Sequence, residues 1–193
     1  MKRFLLVAAL LLPLLSAAAA DKPYLLPQLA KCTAVIDGQA AKNEYPASFT
    51  EPKSGIQVAW QADSHNIYVA LESPGKGWTA IGFGSDGMNG ASMVIGTVDA
   101  KGKPVVEEHL GKSFYRHARV DSTRLIASAA ALKDGRSVLE FALPLSLSNG
   151  KTISPGQPMP FILAFHKDNA SLIKKHSSKA SAVLLLAAPA PKK

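Results

Sequence analysis

The chain has 193 residues, of which 47% are hydrophobic, 19% charged and 7% aromatic, and it carries a formal net charge of +8. This length suits one domain of moderate size with its own hydrophobic core. The basic residues are spread along the chain without a dense stripe of interleaved aromatic residues, which excludes DNA or RNA as the expected partner, and the single cysteine, Cys32, excludes an intramolecular disulfide.

The first twenty residues, 1–20, have the features of a cleaved signal peptide. Lys2 and Arg3 form a basic start, an apolar run follows, and small residues lead up to Ala20. The apolar run is short for a membrane-spanning helix, which needs about 20 apolar residues. We therefore predict cleavage after Ala20 and a periplasmic or secreted protein.

The chain after the signal peptide starts with few strand signals. Residues 21–31 are predicted to be an extended lead-in, and Thr33–Asp37 a short strand that ends in an Asp-Gly turn. The polar segment 43–53, with two prolines, is predicted to be a loop.

From Gly55 onward, short runs of alternating apolar and polar residues are separated by Gly, Pro, Asp and Asn, which is typical of strands joined by tight turns. The predicted strands are 56–61, 67–71, 78–83, 92–98, 105–110, 125–132, 138–143, 161–166 and 182–186. The Ala-rich segment 125–132 fits a helix as well, but its position before the Asp134-Gly135 hairpin signal favours a strand. They predict an all-β fold over 32–187, an antiparallel immunoglobulin-like β-sandwich of about 9–10 strands, followed by a Pro/Ala/Lys tail over 188–193. Spacing alone does not separate a sandwich from a closed barrel.

No arrangement of residues typical of catalysis stands out, so we predict a protein that is not an enzyme. There is no Ser/His/Asp grouping, carboxylate pair or phosphate-binding glycine loop. Most histidines fall in polar turns or at strand edges, where solvent exposure is the simplest interpretation. A zinc site needs His and carboxylate groups close together, and His109 with Glu107 and His117 comes nearest to that pattern.

Met88 is unusual because methionine normally fills apolar cores, whereas here it occupies a turn rich in Gly, Ser, Asp and Asn. His176 lies in the loop before the last strand. A thioether and an imidazole in two such loops can approach one iron from opposite sides and fill both axial positions of a haem. Met93 is interpreted as a core residue, and His166, at the end of an apolar strand, is the alternative to His176.

Two stretches of the sequence resemble the DOMON domain family. The run GWTAIGFGSDGMNGASMVIGTVDAKG, 77–102, resembles the core motif of that family, and HSSKASAVLLL, 176–186, is similar to its final segment. VIDGQAAKNEY and GIQVAWQADSHNIYVALES also fit, so the resemblance covers Thr33–Leu186. Two departures affect residues next to the expected ligands: Ser92 replaces a frequent acidic residue, and Lys179-Ala180 replaces a frequent Arg-Gly.

The resemblance implies a b-type haem, bound without covalent attachment, as in the cytochrome domain of cellobiose dehydrogenase. Carried over by motif, the iron ligands are Met88 and His176. The implied function is electron transfer with an unidentified redox partner protein, which can be soluble or membrane-associated. Trp78 and Phe83 are expected to pack near the macrocycle, and Lys179 to pair with a propionate. The alternative is a haem-free sandwich that binds carbohydrate, since other branches of the family bind no haem.

Overall fold

The computed structural model describes residues 22–41 and 43–188, so the predicted signal peptide and most of the predicted tail lie outside the described part. Twelve strands are present in that part. They are β1 (Tyr24–Leu26), β2 (Ala47–Thr50), β3 (Gln57–Ala62), β4 (Asn66–Ser73), β5 (Thr79–Phe83), β6 (Ser92–Val98), β7 (Pro104–Gly111), β8 (His117–Arg119), β9 (Ala127–Lys133), β10 (Arg136–Pro144), β11 (Pro158–Phe165) and β12 (Ser178–Leu186). Within the same ranges, no helix has the length and apolar character needed to cross a membrane.

The strands form two sheets, which confirms the predicted all-β sandwich. A seven-stranded sheet has the order β1-β12-β11-β5-β6-β7-β8, and a five-stranded sheet has the order β2-β3-β4-β10-β9. Neighbouring strands are antiparallel except β1 and β12, which are parallel. The two sheets pack face to face because each carries apolar side chains on its inner face.

The main core lies between the sheets and is built from the inward-facing half of each alternating strand. Its largest fully buried side chains include Trp60, Phe83, Phe141 and Phe161. Trp60 and Phe161 meet edge to face, with ring centroids 5.6 Å apart. Phe161 comes from the seven-stranded sheet and Trp60 from the five-stranded one, so this contact joins the two layers.

The prediction of a strand at Thr33–Asp37 is wrong. This segment pairs with no neighbouring strand. The N–H groups of Asp37, Gly38 and Gln39 instead donate to the buried Glu140 carboxylate, over 3.1, 2.7 and 3.2 Å. Backbone donors need partners but not necessarily a sheet, and here a side chain 102 residues away in sequence from Gly38 supplies them.

The predicted loop 43–53 contains a real strand, β2, so that prediction is also wrong. Its two prolines, Pro46 and Pro52, lie outside the strand, where they do not remove a ladder donor. β1 falls inside the predicted lead-in, and β8 was not predicted. All three are short strands at or beside a sheet edge, where alternation is too brief to give a periodic signal.

Candidate functional site

A second apolar cluster lies on the outer face of the seven-stranded sheet, away from the main core. We call it the outer cluster. Its buried members are Trp78, Ala80, Ala91, Met93 and Ile95, and Met88, Ile162, Ala164 and Leu172 pack against it, partly buried.

Strand alternation explains why the outer cluster forms here. Ala80 faces outward on β5 because its neighbours Ile81 and Phe83 face the main core. An outward face of a sheet is usually polar. An apolar patch on the outward face of a sheet, covered by the loops that join its strands, is therefore unusual and is a candidate functional site.

Gly82 lies at the centre of the outer cluster and is covered by two neighbouring side chains. Gly82 pairs with Met93 on β6 and with Ile162 on β11. A Cβ on Gly82 would lie 2.6 Å from Met93 Cγ and 3.0 Å from Ile162 Cγ1, so these two side chains lean over the glycine. The result is a smooth apolar surface without a polar side chain in the middle.

The loop that carries Met88 connects β5 to β6 and is fixed on one side by β7. The N–H of Gly90 donates to the carbonyl of Gly111 over 3.0 Å, and the N–H of Gly111 donates to the carbonyl of Ala91 over 2.9 Å. The loop closes on itself where the N–H of Ala91 donates to the carbonyl of Met88 over 3.1 Å. Met88 is thus held in a defined position at the end of β5.

Asn149 fixes the same loop on its other side. Its Nδ2 donates to the carbonyl of Phe83 over 3.0 Å and to the carbonyl of Gly90 over 2.9 Å, which joins the two arms of the loop. The ammonium of Lys151 donates to the carbonyl of Gly84. Sequence reasoning missed Asn149 and Gly111, because both lie in segments without a motif and reach the loop only through the tertiary fold.

The loop that carries His176 connects β11 to β12 at the other end of the outer cluster. It contributes Leu172 to that cluster. Thr79 pairs with Phe165 at this end of β5, whereas the loop with Met88 begins after Phe83 at the opposite end. Thr79 and Phe83 are four residue steps apart along β5, a span of roughly 13 Å at the usual rise per residue.

The ring of His176 is half-buried and is free to bind a ligand. Apart from an interaction with its own backbone, it has no hydrogen-bond partner within residues 22–41 and 43–188. Its pKa is lowered by burial and, to a smaller extent, by the charges of Lys179 and Lys175. A neutral imidazole with an available nitrogen is the form that binds a metal ion.

The other four histidines are engaged with other residues. The contacts are His65 Nδ1 to Ser64 Oγ at 2.8 Å, His109 Nε2 to Glu107 Oε2 at 2.9 Å, and His117 Nδ1 to His109 Nδ1 at 2.9 Å, with His166 described next.

His166, the alternative ligand, caps a turn. Its Nδ1 accepts the N–H groups of Asp168 and Asn169 over 3.2 and 3.0 Å. The same nitrogen lies 3.4 Å from Asp168 Oδ1. A hydrogen bond between these two atoms would require a proton on Nδ1, but Nδ1 already accepts two N–H groups and so carries none. We therefore assign the proton to Nε2. To free Nε2 for a metal, the proton would have to move to Nδ1, and both of these hydrogen bonds would be lost.

The three other predicted site residues fall in different places. Trp78 belongs to the outer cluster, and its Nε1 is buried without a hydrogen-bond partner among the described residues. Lys179 is exposed and pairs in register with Ala164, which packs against that cluster. Phe83 lies in the main core, on the face of β5 opposite Ala80, which argues against its predicted contact with a macrocycle.

The described residues contain no group of three or more His, Cys, Asp or Glu that could hold a metal ion. The outer cluster is therefore not a metal site built from several His, Cys, Asp or Glu side chains. The cluster contains the Met88 thioether and the Trp78 indole N–H, and the loop that borders it carries the His176 imidazole.

The sequence matches the DOMON domain family over residues 52–166. No match was found among curated proteins. The structure is similar to the cytochrome b domain of pyranose dehydrogenase from Coprinopsis cinerea, with a TM-score of 0.59 and 16% identity over 71% of this chain and 80% of that one.

The fold is also similar to a family 9 carbohydrate-binding module from Caldicellulosiruptor kristjanssonii, solved in complex with glucose. That comparison has a TM-score of 0.52 and 12% identity, and it covers 89% of this chain and 99% of the module. At such low identities both similarities establish the fold alone. The sequence match to the family, in contrast, covers more than half of the chain, and the chain therefore belongs to the DOMON domain family.

Proposed function

We propose that this DOMON domain is an exported protein that binds a b-type haem and acts in electron transfer, with Met88 and His176 as the axial ligands. One observation carries the proposal. The loops that hold Met88 and the unengaged His176 lie at opposite ends of one apolar cluster on the outer face of the seven-stranded sheet.

The residues present fit such a group. A thioether and an imidazole fill both axial positions and favour a high reduction potential. Ala80, Ala91 and the side chains of Met93 and Ile162 that cover Gly82 form an apolar floor. Such a floor would exclude water from one side of the macrocycle and lower the local dielectric constant. Trp78 Nε1 is an N–H donor that has no partner among the described residues, so a polar edge of the bound group would satisfy it.

The haem, when bound, would supply a one-electron couple with no open coordination position. The chain supplies the rest. The brace of Asn149 and Gly111 holds the Met88 loop in place before binding, and burial keeps the His176 ring neutral. Lys179 stands on the same face at the edge of the cluster, where it would pair with a propionate.

Export and a separate redox partner are parts of this proposal. The similarity in fold to the cytochrome b domain of a pyranose dehydrogenase supports electron transfer. The formal net charge of +8 becomes +6 once Lys2 and Arg3 are removed with the signal peptide, and a positive charge suits an acidic partner protein or an anionic membrane surface.

The visible spectrum of the purified protein, oxidised and reduced, tests the proposal. We expect a haem spectrum of six-coordinate iron after export from a haem-sufficient host. Met88→Ala and His176→Ala should each convert it to a spectrum with one axial ligand lost. Met93→Ala and His166→Ala are the matched controls and should retain both ligands. A colourless protein that does not take up added hemin would refute haem binding.

The alternative function is haem-free binding of carbohydrate. It is favoured by the similarity in fold to a carbohydrate-binding module solved with glucose. Tyr115 and Phe114, at the turn between β7 and β8, are 91% and 74% exposed and are available for stacking on a sugar ring. Exposed aromatic residues on a flat sheet face would support this function more strongly, and these two lie at a hairpin tip instead.

Calorimetric titration with glucose and cello-oligosaccharides distinguishes the two functions. If the domain binds sugar, Tyr115→Ala should abolish the heat of binding while Met88→Ala should not affect it. If it is a cytochrome, neither sugar should bind.

A further inference from the structure

His109 and His117 form a close pair on the outer face of the seven-stranded sheet. His109 lies on β7, pairs in register with Met93, and is only 5% exposed. His117 lies on the edge strand β8 and is half-buried. Their Nδ1 atoms are 2.9 Å apart, with ring centroids 4.8 Å apart at an angle of 71°.

The neighbours of His109 determine where its proton lies. Its Nε2 is 2.9 Å from Glu107 Oε2. A carboxylate only accepts hydrogen bonds, so Nε2 carries the proton and the Nδ1 of a neutral His109 carries a lone pair. His117 must therefore supply the single proton that lies between the two Nδ1 atoms.

We propose that His109 and His117 bind one divalent transition-metal ion of the Zn²⁺ and Cu²⁺ class between their Nδ1 atoms. The proton of His117 then moves through solvent to its own Nε2, so both rings stay neutral. Imidazole nitrogen is a preferred ligand of both ions. At Zn–N distances of about 2.0–2.1 Å and a tetrahedral angle, the two nitrogens would lie roughly 3.4 Å apart. The pair needs to open by only about 0.5 Å from the observed separation of 2.9 Å.

The surroundings match the shell expected around a metal-bound histidine. Such a histidine usually donates its second ring N–H to a carboxylate, which fixes the tautomer and the ring orientation. Glu107 performs this role for His109 and is itself paired with Arg119, 3.3 Å from Glu107 Oε1.

Because His117 lies at the sheet edge, water can fill the coordination positions that the two histidines leave open. It belongs to the three-residue strand at the edge of the sheet, so its ring is accessible from solvent and can shift outward. Two protein nitrogens leave positions for water, in the manner of an open rather than a structural zinc site. This inference does not rest on the proposed function, since neither histidine is a proposed haem ligand.

Isothermal titration of the tag-free, haem-free protein with ZnCl₂ tests the proposal. We expect one ion bound per chain with micromolar affinity. His117→Ala should weaken binding at least tenfold, and Glu107→Gln should weaken it by about 10- to 100-fold, since loss of the outer partner has that effect elsewhere. His65→Ala removes another surface histidine and should leave the affinity unchanged.

Copper gives a second readout at the same pair. The electron paramagnetic resonance spectrum of the Cu²⁺ complex should show coupling to two imidazole nitrogens, and to one in His117→Ala. Thermal unfolding of each variant verifies that the fold is intact, and His117, being on the surface, is the safer of the two substitutions. Zinc affinity that is unchanged in His117→Ala, or that is lost in His65→Ala, would overturn the proposal.

Discussion

The carbonyl oxygen of Met88 lies directly against the Cα of Gly111, so that a Cβ on Gly111 would come within 1.6 Å of it. Two backbone hydrogen bonds join the same loop to β7 at this point. The position of the proposed sulfur ligand therefore depends on a residue that has no side chain. Any larger residue would push the Met88 loop away from the sheet.

We predict that Gly111→Ala destabilises the protein by about 1–3 kcal/mol, the usual cost of overpacking. The displaced loop should also weaken hemin binding. Urea unfolding measures the first effect and hemin titration the second. Gly87→Ala is the matched control in the same loop, since a Cβ there meets nothing within 4 Å. It should change stability by less than about 0.5 kcal/mol, and an equal loss in both variants would contradict the prediction.

Asn149→Ala should loosen the Met88 loop from its other side. Its amide donates to two backbone carbonyls, of Phe83 and Gly90, and losing these donors should cost about 1–3 kcal/mol of stability. The rate of hemin loss to an excess of apomyoglobin should increase. Asn89→Ala, at an exposed position of the same loop, should change neither quantity.

Trp78→Phe should affect haem more than it affects folding. The indole N–H has no partner among the described residues, so its removal relieves an unsatisfied donor while the aromatic ring is kept. We expect a change in stability below about 1.5 kcal/mol, as for other conservative swaps in cores. Hemin dissociation should be faster, because a donor to the bound group is lost. Unchanged dissociation would show that Trp78 makes no polar contact with haem.

Glu140→Gln should flatten the dependence of stability on pH. Burial raises the pKa of Glu140 above its ordinary value of 4.5, in spite of the hydrogen bonds from Gly38, Tyr45 and Asp37 that oppose it. The folded state then holds this proton more tightly than the unfolded state. The contribution to stability is complete below pH 4.5 and is lost as the pH rises through the raised pKa.

Urea unfolding at a series of pH values measures this slope. The variant should lose the decline in stability on the alkaline side of pH 4.5. Glu72→Gln is the control, because Glu72 lies on the neighbouring strand β4 and its carboxylate pairs with Arg136. A slope that persists in Glu140→Gln, or one that disappears in Glu72→Gln, would assign the effect to another group.

The sequence predicted most of the strands because side-chain alternation and turn residues are local signals. β6 was predicted with its observed bounds, Ser92–Val98, and β10 to within two residues at its start. Thr33–Asp37 failed for a physical reason. Its alternation resembles a strand, but its backbone donors are satisfied by Glu140, and no local pattern encodes such a distant partner.

The candidate site also has a part that could be predicted from the sequence and a part that could not. A thioether in a glycine-rich turn and a histidine before the last strand are visible in the sequence. The structure then shows that Trp78 lies in the outer cluster. Phe83 shows the limit of motif transfer, since its own alternation with Ala80 directs it into the main core.

By itself, the sequence determined the fold class, the strand faces and the two loops that carry Met88 and His176, because each depends on neighbours within a few residues. Only the tertiary structure decided that these loops border one apolar cluster, that Gly111 and Asn149 brace one of them, and that His109 faces His117 beside Glu107. Sheet order and strand register set these relationships. They result from contacts summed over the whole domain, so no short stretch of the chain contains them.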